Sequence, residues 1–480
     1  MPAAATTESR EAAALPIVRE LPGLPAAAEC FRRLQQRSHV LFLDSALRDP
    51  ILGRYSFLAC DPFAWLEIPA DGSDALAALS ARLAEFRATN IAGLPPFQGG
   101  AAGLLSYDLG RSLERVPPTR FDEWKIPALA VGLYDCVVGF DHLEERSWLF
   151  SHGWPEQDPA ARQERASARA DEMERLLREP AIVAAATEHE EPHLPLAELA
   201  PQFATAANPK LTSNFTREAY LRAVARAVEY VHAGDVFQVN LAQRLLYPAS
   251  DDPVSLYLRL RERNAAPFAG YFDLGGTQIV SASPERFLAV HGRVIETRPI
   301  KGTRPRGRSP EADLFAGDDL RQSEKDRAEN VMIVDLLRND LSRVCQPESV
   351  CVTQLCGLEH FRYVQHLVSA VRGELRPGLG PIDAIRAAFP GGSITGTPKV
   401  RAMEIIAELE PTARGPYCGS LGYLGFDGSA DLSILIRTIT ASRGWWQMQV
   451  GGGIVAQSSP EREYEETWHK AAGMLKALEP

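Results

Sequence analysis

The chain has 480 residues, 45% hydrophobic and 24% charged, which is enough to bury one large core or two. Lys plus Arg number 51 against 62 Asp plus Glu, a net charge of −11 that argues against nucleic acid as a partner but allows a small anion in a local basic pocket. No apolar run approaches the roughly 18 residues of a membrane span, Met1–Pro16 lacks a signal peptide's apolar core, and seven scattered cysteines fit reduced thiols, so a cytoplasmic protein with no membrane contact is expected.

Residues 1–15, rich in Ala, Thr and Glu, read as a loose tail. A first mixed domain is expected over 16–178. It holds a helix at Ala26–Gln36, strands at Val40–Ser45 and Arg54–Leu58, and a helix at Ala75–Thr89. Strands at Gly99–Tyr107 and Leu129–Phe140 follow, then a charged surface helix within Pro155–Arg178. Residues 179–212, Pro-, Ala- and Glu-rich without a period, read as a linker.

The second domain, 213–480, opens on a helix with Thr216 as N-cap and Gly234 as its stop. Val236–Leu245 alternates as a strand, with Gln238, Asn240, Ala242 and Arg244 on one face and Phe237, Val239, Leu241, Gln243 and Leu245 on the more apolar one. Further strands are expected at Phe268–Leu274, Gln278–Ala282 and Phe287–Glu296, and a long helix at Ser323–Asn339. Helices at Pro381–Phe389 and Pro398–Leu409 precede strands at Ser420–Phe426, Leu432–Thr440 and Trp445–Ile454. Ser458 and Glu461 stand in capping-box spacing before the last helix. The whole reads as an α/β chain with many antiparallel strands.

Chemistry-bearing residues concentrate in the second domain. Glu285, in Ser283-Pro-Glu-Arg-Phe287, and Lys301, in Pro299-Ile-Lys-Gly-Thr303, sit on two neighbouring strand ends, with Gly302 permitting a tight turn. Asp326, Glu329 and Asn330 share one helix face, which reads either as solvated or as a site; Glu463 and Glu466 offer carboxylates on the last helix. Should the two helices meet, these would suit Mg2+ as a hard oxygen site. Gly391–Lys399 lacks the spacing of a phosphate-cradling loop, but its backbone N–H groups, like those of Gly451-Gly-Gly453, suit a carboxylate. Arg437, in an apolar strand, suits a bidentate carboxylate grip, and His366 reads by default as an ordinary core or surface histidine. Cys345, Cys351, Cys356 and His360 lack the second well-spaced pair of a zinc site.

Four long motifs in order closely resemble the chorismate-utilising enzymes: Glu329-Asn-Val-Met-Ile-Val-Asp-Leu-Leu-Arg-Asn-Asp340, Phe389–Lys399, Gly451-Gly-Gly-Ile-Val455 and Glu463-Tyr-Glu-Glu-Thr467. The resemblance is dense from Phe215 to Leu475 and weaker before. It implies two interwoven, largely antiparallel β-sheets packed face to face with helices outside, the active site lying between them. Members that add water carry a lysine base where this chain has Gln238, so an amine nucleophile is implied. Lys301, where anthranilate synthases carry alanine, resembles the aminodeoxychorismate synthase component I branch of folate synthesis. There the lysine attacks ring C2 as the C4 hydroxyl leaves, and ammonia enters at C4 and expels it. An attacking lysine must be neutral, a form favoured by burial or by cationic neighbours such as Arg298 and Arg304.

By the same resemblance Glu285 protonates the departing hydroxyl, Glu329 and Glu466 hold Mg2+, and Tyr417, Arg437, Gly451, Gly452, Gly453 and Lys470 meet carboxylates of chorismate. Gly302, Thr303, His366 and Thr397 line the pocket; Thr397 replaces a more common alanine. No cysteine lies in a Gly-x-Cys-x-Gly elbow, so a separate glutaminase subunit is expected to supply ammonia, and another protein to form 4-aminobenzoate. Ser45, Pro267 and Phe268 correspond to a tryptophan pocket of the family. The alternatives are anthranilate synthase component I, which also releases pyruvate, and a non-catalytic tryptophan-binding homologue.

Overall fold

The computed structural model describes residues 15–49, 52–180, 193–306, 309–360 and 364–479. Two large antiparallel sheets, 13-stranded and 10-stranded, carry helices on their outer faces, which is the expected architecture. Their facing sides enclose an apolar layer that includes Leu41, Phe57, Phe97, Ala130, Phe272, Ile279, Leu421 and Leu435. The expected tail lies almost wholly outside the described residues. Within 179–212, residues 181–192 do so as well; beyond them, Phe203–Ala204 and Thr212–Ser213 add two short strands to the edge of the larger sheet.

The first part of the chain is woven into both sheets. Leu41–Asp44 pairs with Phe268–Asp273 in the larger one, and Gly100–Leu105 pairs with Ser420–Gly425 in the smaller. Two segments expected as single strands are each two strands lying in different sheets. Leu129–Tyr134 belongs to the smaller sheet and Cys136–Asp141 to the larger, the chain crossing at Asp135. Ala430–Ser433 and Thr438–Ser442 divide Leu432–Thr440 in the same way. Both runs are mostly apolar and lack a Pro or a Gly pair at the crossing; Asp135 in the first is a single polar residue that a strand can also carry, so periodicity alone does not mark the crossing. Phe287–Glu296 is instead a hairpin, Arg286–His291 followed by Val294–Arg298, turning at Gly292 with φ +58°.

Helix starts follow their caps. Thr216 accepts from the Ala219 backbone N–H at 3.1 Å, and Ser323 accepts from Asp326 at 3.3 Å. The box expected at Ser458 does not form, because the Ser458 hydroxyl donates to Glu463 Oε1 at 2.6 Å. Phe237, expected on the apolar strand face, is 71% exposed, since Gln238–Pro248 starts one residue later.

Candidate active site

A second crossing lies beside the Ile434–Arg437 one. Thr277–Ser283 runs in the larger sheet, Arg286–His291 in the smaller, and Pro284-Glu285 bridges them. The two crossings are stitched together. Ile434 N–H donates to the Glu285 carbonyl at 3.0 Å, Ala282 N–H to the Arg437 carbonyl at 3.1 Å, and Ser283 Oγ to the Ile434 carbonyl at 2.5 Å. Glu285 and Arg437 therefore occupy the seam between the sheets. Arg437 is not in a strand, as its sequence implied; it adopts φ 53°, a left-handed conformation seldom held without a functional reason.

Glu285 is 4% exposed, and burial pushes its carboxyl up to about 7. The hydroxyl of Ser393, the charge of Lys301, the Ile300 backbone and the charge of Arg437 all pull the other way. Burial also lowers the Arg437 guanidinium from its ordinary value, against the attraction of Glu285, and no hydrogen bond or ion pair engages it among the described residues. His366 is buried in the strand Val364–Glu374, opposite Thr303. Burial and then the charge of Arg437 lower its ring to about 3, against a hydrogen bond with the Gly302 backbone, so it is neutral at pH 7.

Lys301 lies in Ile300–Pro305, where the register shifts between Lys301 and Thr303 and Gly302 adopts φ +77°. A Cβ on Gly302 would stand 2.8 Å from Leu320 Cδ1. Lys301 Nζ reaches Glu329 Oε2 at 3.5 Å. Arg298 and Arg304, expected to crowd it with positive charge, are engaged elsewhere: Arg298 bonds Glu359, while Arg304 bonds Asp319 at 2.7 Å and Asp326 at 3.4 Å. The Asp326–Glu329–Asn330 face accordingly meets protein rather than solvent, with Asn330 fully buried.

The loop after Phe389 closes another wall. Ser393 Oγ donates to Glu285 Oε1 at 2.7 Å, and Asn240 Nδ2 holds the Ser393 carbonyl at 3.0 Å. Lys399 anchors the loop's far end on Asp340 at 2.8 Å and the Ala388 carbonyl at 2.6 Å. Thr397 pairs with Gln238. The Gln238 amide and the Thr397 hydroxyl are buried without hydrogen-bond partners among the described residues. A Cβ on Gly453 would come 2.9 Å from the Gln238 amide, so a side chain there would push that amide aside.

The helices Glu324–Ser342 and Pro460–Leu475 do meet across this space. Lys325 Nζ lies 3.9 Å from Glu329 Oε1 and 4.0 Å from Glu463 Oε1. Lys470 Nζ lies 2.7 Å from Glu466 Oε1 and donates to the Gly451 carbonyl at 2.8 Å. A Cβ on Gly452 would be 3.3 Å from both Glu463 Oε2 and Glu466 Oε1. Burial, with the Glu466 charge adding to it, raises Glu463 against the Ser458 hydrogen bond. Partial burial would raise Glu466 too, but Lys470, Lys325 and Lys301 outweigh it and hold that carboxyl below its ordinary range. No group of three or more His, Cys, Asp or Glu side chains gathers tightly enough for a metal ion among the described residues. Cys345, Cys351 and Cys356 are free thiols. Glu329, Glu463 and Glu466 are hard oxygen donors of the kind Mg2+ takes, and each is engaged here by an ammonium group.

Tyr417 is half-buried beneath Arg414, 5.6 Å from guanidinium to ring, and precedes Cys418, whose thiol feels the charge of Glu285. Ser45, Pro267 and Phe268 line a separate cavity of about 100 Å³, together with Arg54, Arg286, Asp431 and Ser433. Sequence reasoning missed Ser393 and Lys325. Lys325 stands four residues before Glu329, a spacing that brings both to one helix face. Nothing in the loop singled out Ser393.

A family model described as chorismate binding enzyme matches residues 60–476. Anthranilate synthase component 1 of Thermus thermophilus is 45% identical, over 80% of this chain and 79% of its own. Aminodeoxychorismate synthase component 1 of Escherichia coli is 40% identical (95% and 96% covered), and that of Bacillus subtilis 38% identical (93% and 93%). The crystal structure of anthranilate synthase component I from Streptococcus pneumoniae superposes with TM-score 0.73 at 31% identity, covering 89% of this chain and 93% of that one. The two carboxylate-bearing helices, the seam holding Glu285 and the matching family model lead to one conclusion: this chain belongs to the chorismate-binding enzymes, in the component I type shared by aminodeoxychorismate and anthranilate synthases.

Proposed function

We propose that the chain is an aminodeoxychorismate synthase component I, converting chorismate and ammonia to 4-amino-4-deoxychorismate and water. The observation that carries this reading is Lys301, an amine beside Glu329 whose charge also acts on the buried acid Glu285, itself raised by burial to about 7. Lys301 Nζ, once neutral, bonds to ring C2 while the C4–O bond breaks, and the departing hydroxyl takes the proton of Glu285 and leaves as water. Ammonia then bonds to C4, the C2–N bond breaks, and the surplus proton of the entering amine returns to Glu285. The enolpyruvyl ether is untouched, so no pyruvate is released. Arg437 fits a substrate carboxylate, as do the bare backbone of Gly451–Gly453 and Lys470, while His366, Thr397 and Gln238 face the ring. Glu329 and Glu466 would hold Mg2+, which would neutralise the ring carboxylate and draw electron density from the ring.

Ammonia comes in this reading from a glutaminase subunit, component II, consistent with the component 1 naming of the relatives. The product feeds 4-aminobenzoate and folate synthesis in the cytoplasm; no helix among the described residues is long and apolar enough to cross a membrane. The cavity at Ser45, Pro267 and Phe268 would take tryptophan, its ring against Phe268.

The second reading, anthranilate synthase component I, is favoured by the 45% identity to the Thermus thermophilus enzyme. Purified chain with chorismate, Mg2+ and ammonium at alkaline pH, products separated by mass, decides between them. A product that gains nitrogen and keeps its enolpyruvyl group, lost on Lys301→Ala, supports the first; anthranilate with free pyruvate establishes the second. Absence of any turnover would favour a non-catalytic homologue.

A further inference from the structure

Three carboxylates, Glu329, Glu463 and Glu466, face three ammonium groups, Lys301, Lys325 and Lys470. Two of the lysines are already committed: Lys301 is 13% exposed beside Glu329, and Lys470 holds the Gly451 carbonyl. Lys325 differs from both. Its side chain is 53% exposed, it stands in the first turn of its helix, and it touches the carboxylates only at 3.9 and 4.0 Å. Its partner on Glu329 is Oε1, the oxygen that Lys301 leaves uncovered. Lys325 also favours the charged forms of both Glu463 and Glu466.

We propose that Lys325 is a place-holding cation. It bridges Glu329 and Glu463, keeping like charges from driving the two helices apart, and swings out to solvent when a divalent cation takes Glu329 and Glu466. A compact dication interacts with several carboxylates more strongly than a monovalent ammonium at 4 Å, whereas exposed ion pairs of that length break readily. Lys325 thus competes with the metal, setting its affinity without touching substrate. The inference rests on the proposed Mg2+ reading of Glu329 and Glu466.

The test is the thermal midpoint of the full chain titrated with MgCl2 at constant ionic strength, without substrate. Lys325→Gln should tighten the apparent Mg2+ dissociation constant roughly three- to tenfold, the range expected for releasing one or two exposed ion pairs. Its midpoint without Mg2+ should fall below that of the parent. Lys325→Arg, which keeps the charge, should stay within twofold of the parent. Arg327→Gln removes a charge one helical step away that makes no ion pair with these carboxylates, and should also stay unchanged. Unaltered affinity in Lys325→Gln, beside a parent that does respond to Mg2+, overturns the place-holder and leaves the metal reading intact. Equal tightening in Arg327→Gln also overturns it, since a general field effect would then suffice. A parent that shows no Mg2+-specific response removes both.

Discussion

Ser393 Oγ donates to Glu285 Oε1 at 2.7 Å, from a loop more than 100 residues further along the chain. The bond stabilises the charged carboxylate and so opposes the burial that raises it to about 7. Ser393→Ala should therefore raise the Glu285 pKa further. A hydrogen bond to a charged group is worth ~1.5–3 kcal/mol and each pH unit ~1.36 kcal/mol, so the alkaline limb of kcat/KM should move up by about one to two units. A limb that stays in place would assign the acid to another group.

Glu285 also makes stability depend on pH. Its folded pKa of about 7 lies above the ordinary 4.5, so the folded chain holds the proton more tightly and loses stability as pH rises through that window. The window spans about 2.5 pH units, on the order of 3 kcal/mol at most. Glu285→Gln should be nearly inactive yet gain stability relative to the parent between pH 5 and pH 8. Comparing denaturant midpoints of the two proteins at both pH values cancels every other titrating group; parallel pH profiles would refute the assignment.

Arg437 carries a charge that burial disfavours and that no neighbour among the described residues pairs. Arg437→Gln should raise KM for chorismate at least ~30-fold, the effect of losing about 2 kcal/mol or more at a desolvated carboxylate contact. The same change should leave the melting temperature equal or higher, because a partly buried charge without a hydrogen-bonded partner costs stability. A variant with normal KM and a lowered melting temperature would make Arg437 a structural residue.

Beneath the loop, Arg414 and Glu410 form a buried pair at 2.7 Å, with Arg414 Nη1 also donating to the Ile394 carbonyl at 3.0 Å. Arg414→Met leaves the buried Glu410 without its cation, holding only the Ala242 backbone N–H at 2.9 Å, at a cost of roughly 3–5 kcal/mol. Replacing both, with Glu410→Leu added, should recover much of that loss in urea denaturation while activity stays low, since the loop bearing Ser393 loses its tether. No recovery in the double variant would mean that packing, not charge, holds the site.

Much of this was legible in the sequence because it is local. Thr216 and Ser323 announce their helices, and the carboxylate spacing on each of two helices survives in the fold. What failed to show is the pairing of distant segments. Leu432–Thr440 reads as one strand because it is mostly Leu, Ile and Thr, yet Ile434 is pinned by Ser283 and Glu285, and Arg437 is turned into a left-handed conformation there. At Asp135 too, the change of sheet is set by pairing with distant strands. The strands Cys351–His360 and Val364–Glu374 passed unread, and with them the fact that His366 is held against Gly302. Arg298 and Arg304 look like neighbours of Lys301 in sequence, but alternate side-chain directions and nearby acids draw them away.

The two crossings stitched at Ser283–Ile434 and Ala282–Arg437 leave the acid and the guanidinium without a hinge of their own. A sideways slip of one sheet against the other would drag both groups at once, and neither can be freed by fraying a loop. Heat should therefore not produce a folded but idle form: the half-time for losing activity and the half-time for losing sheet structure should coincide across temperatures.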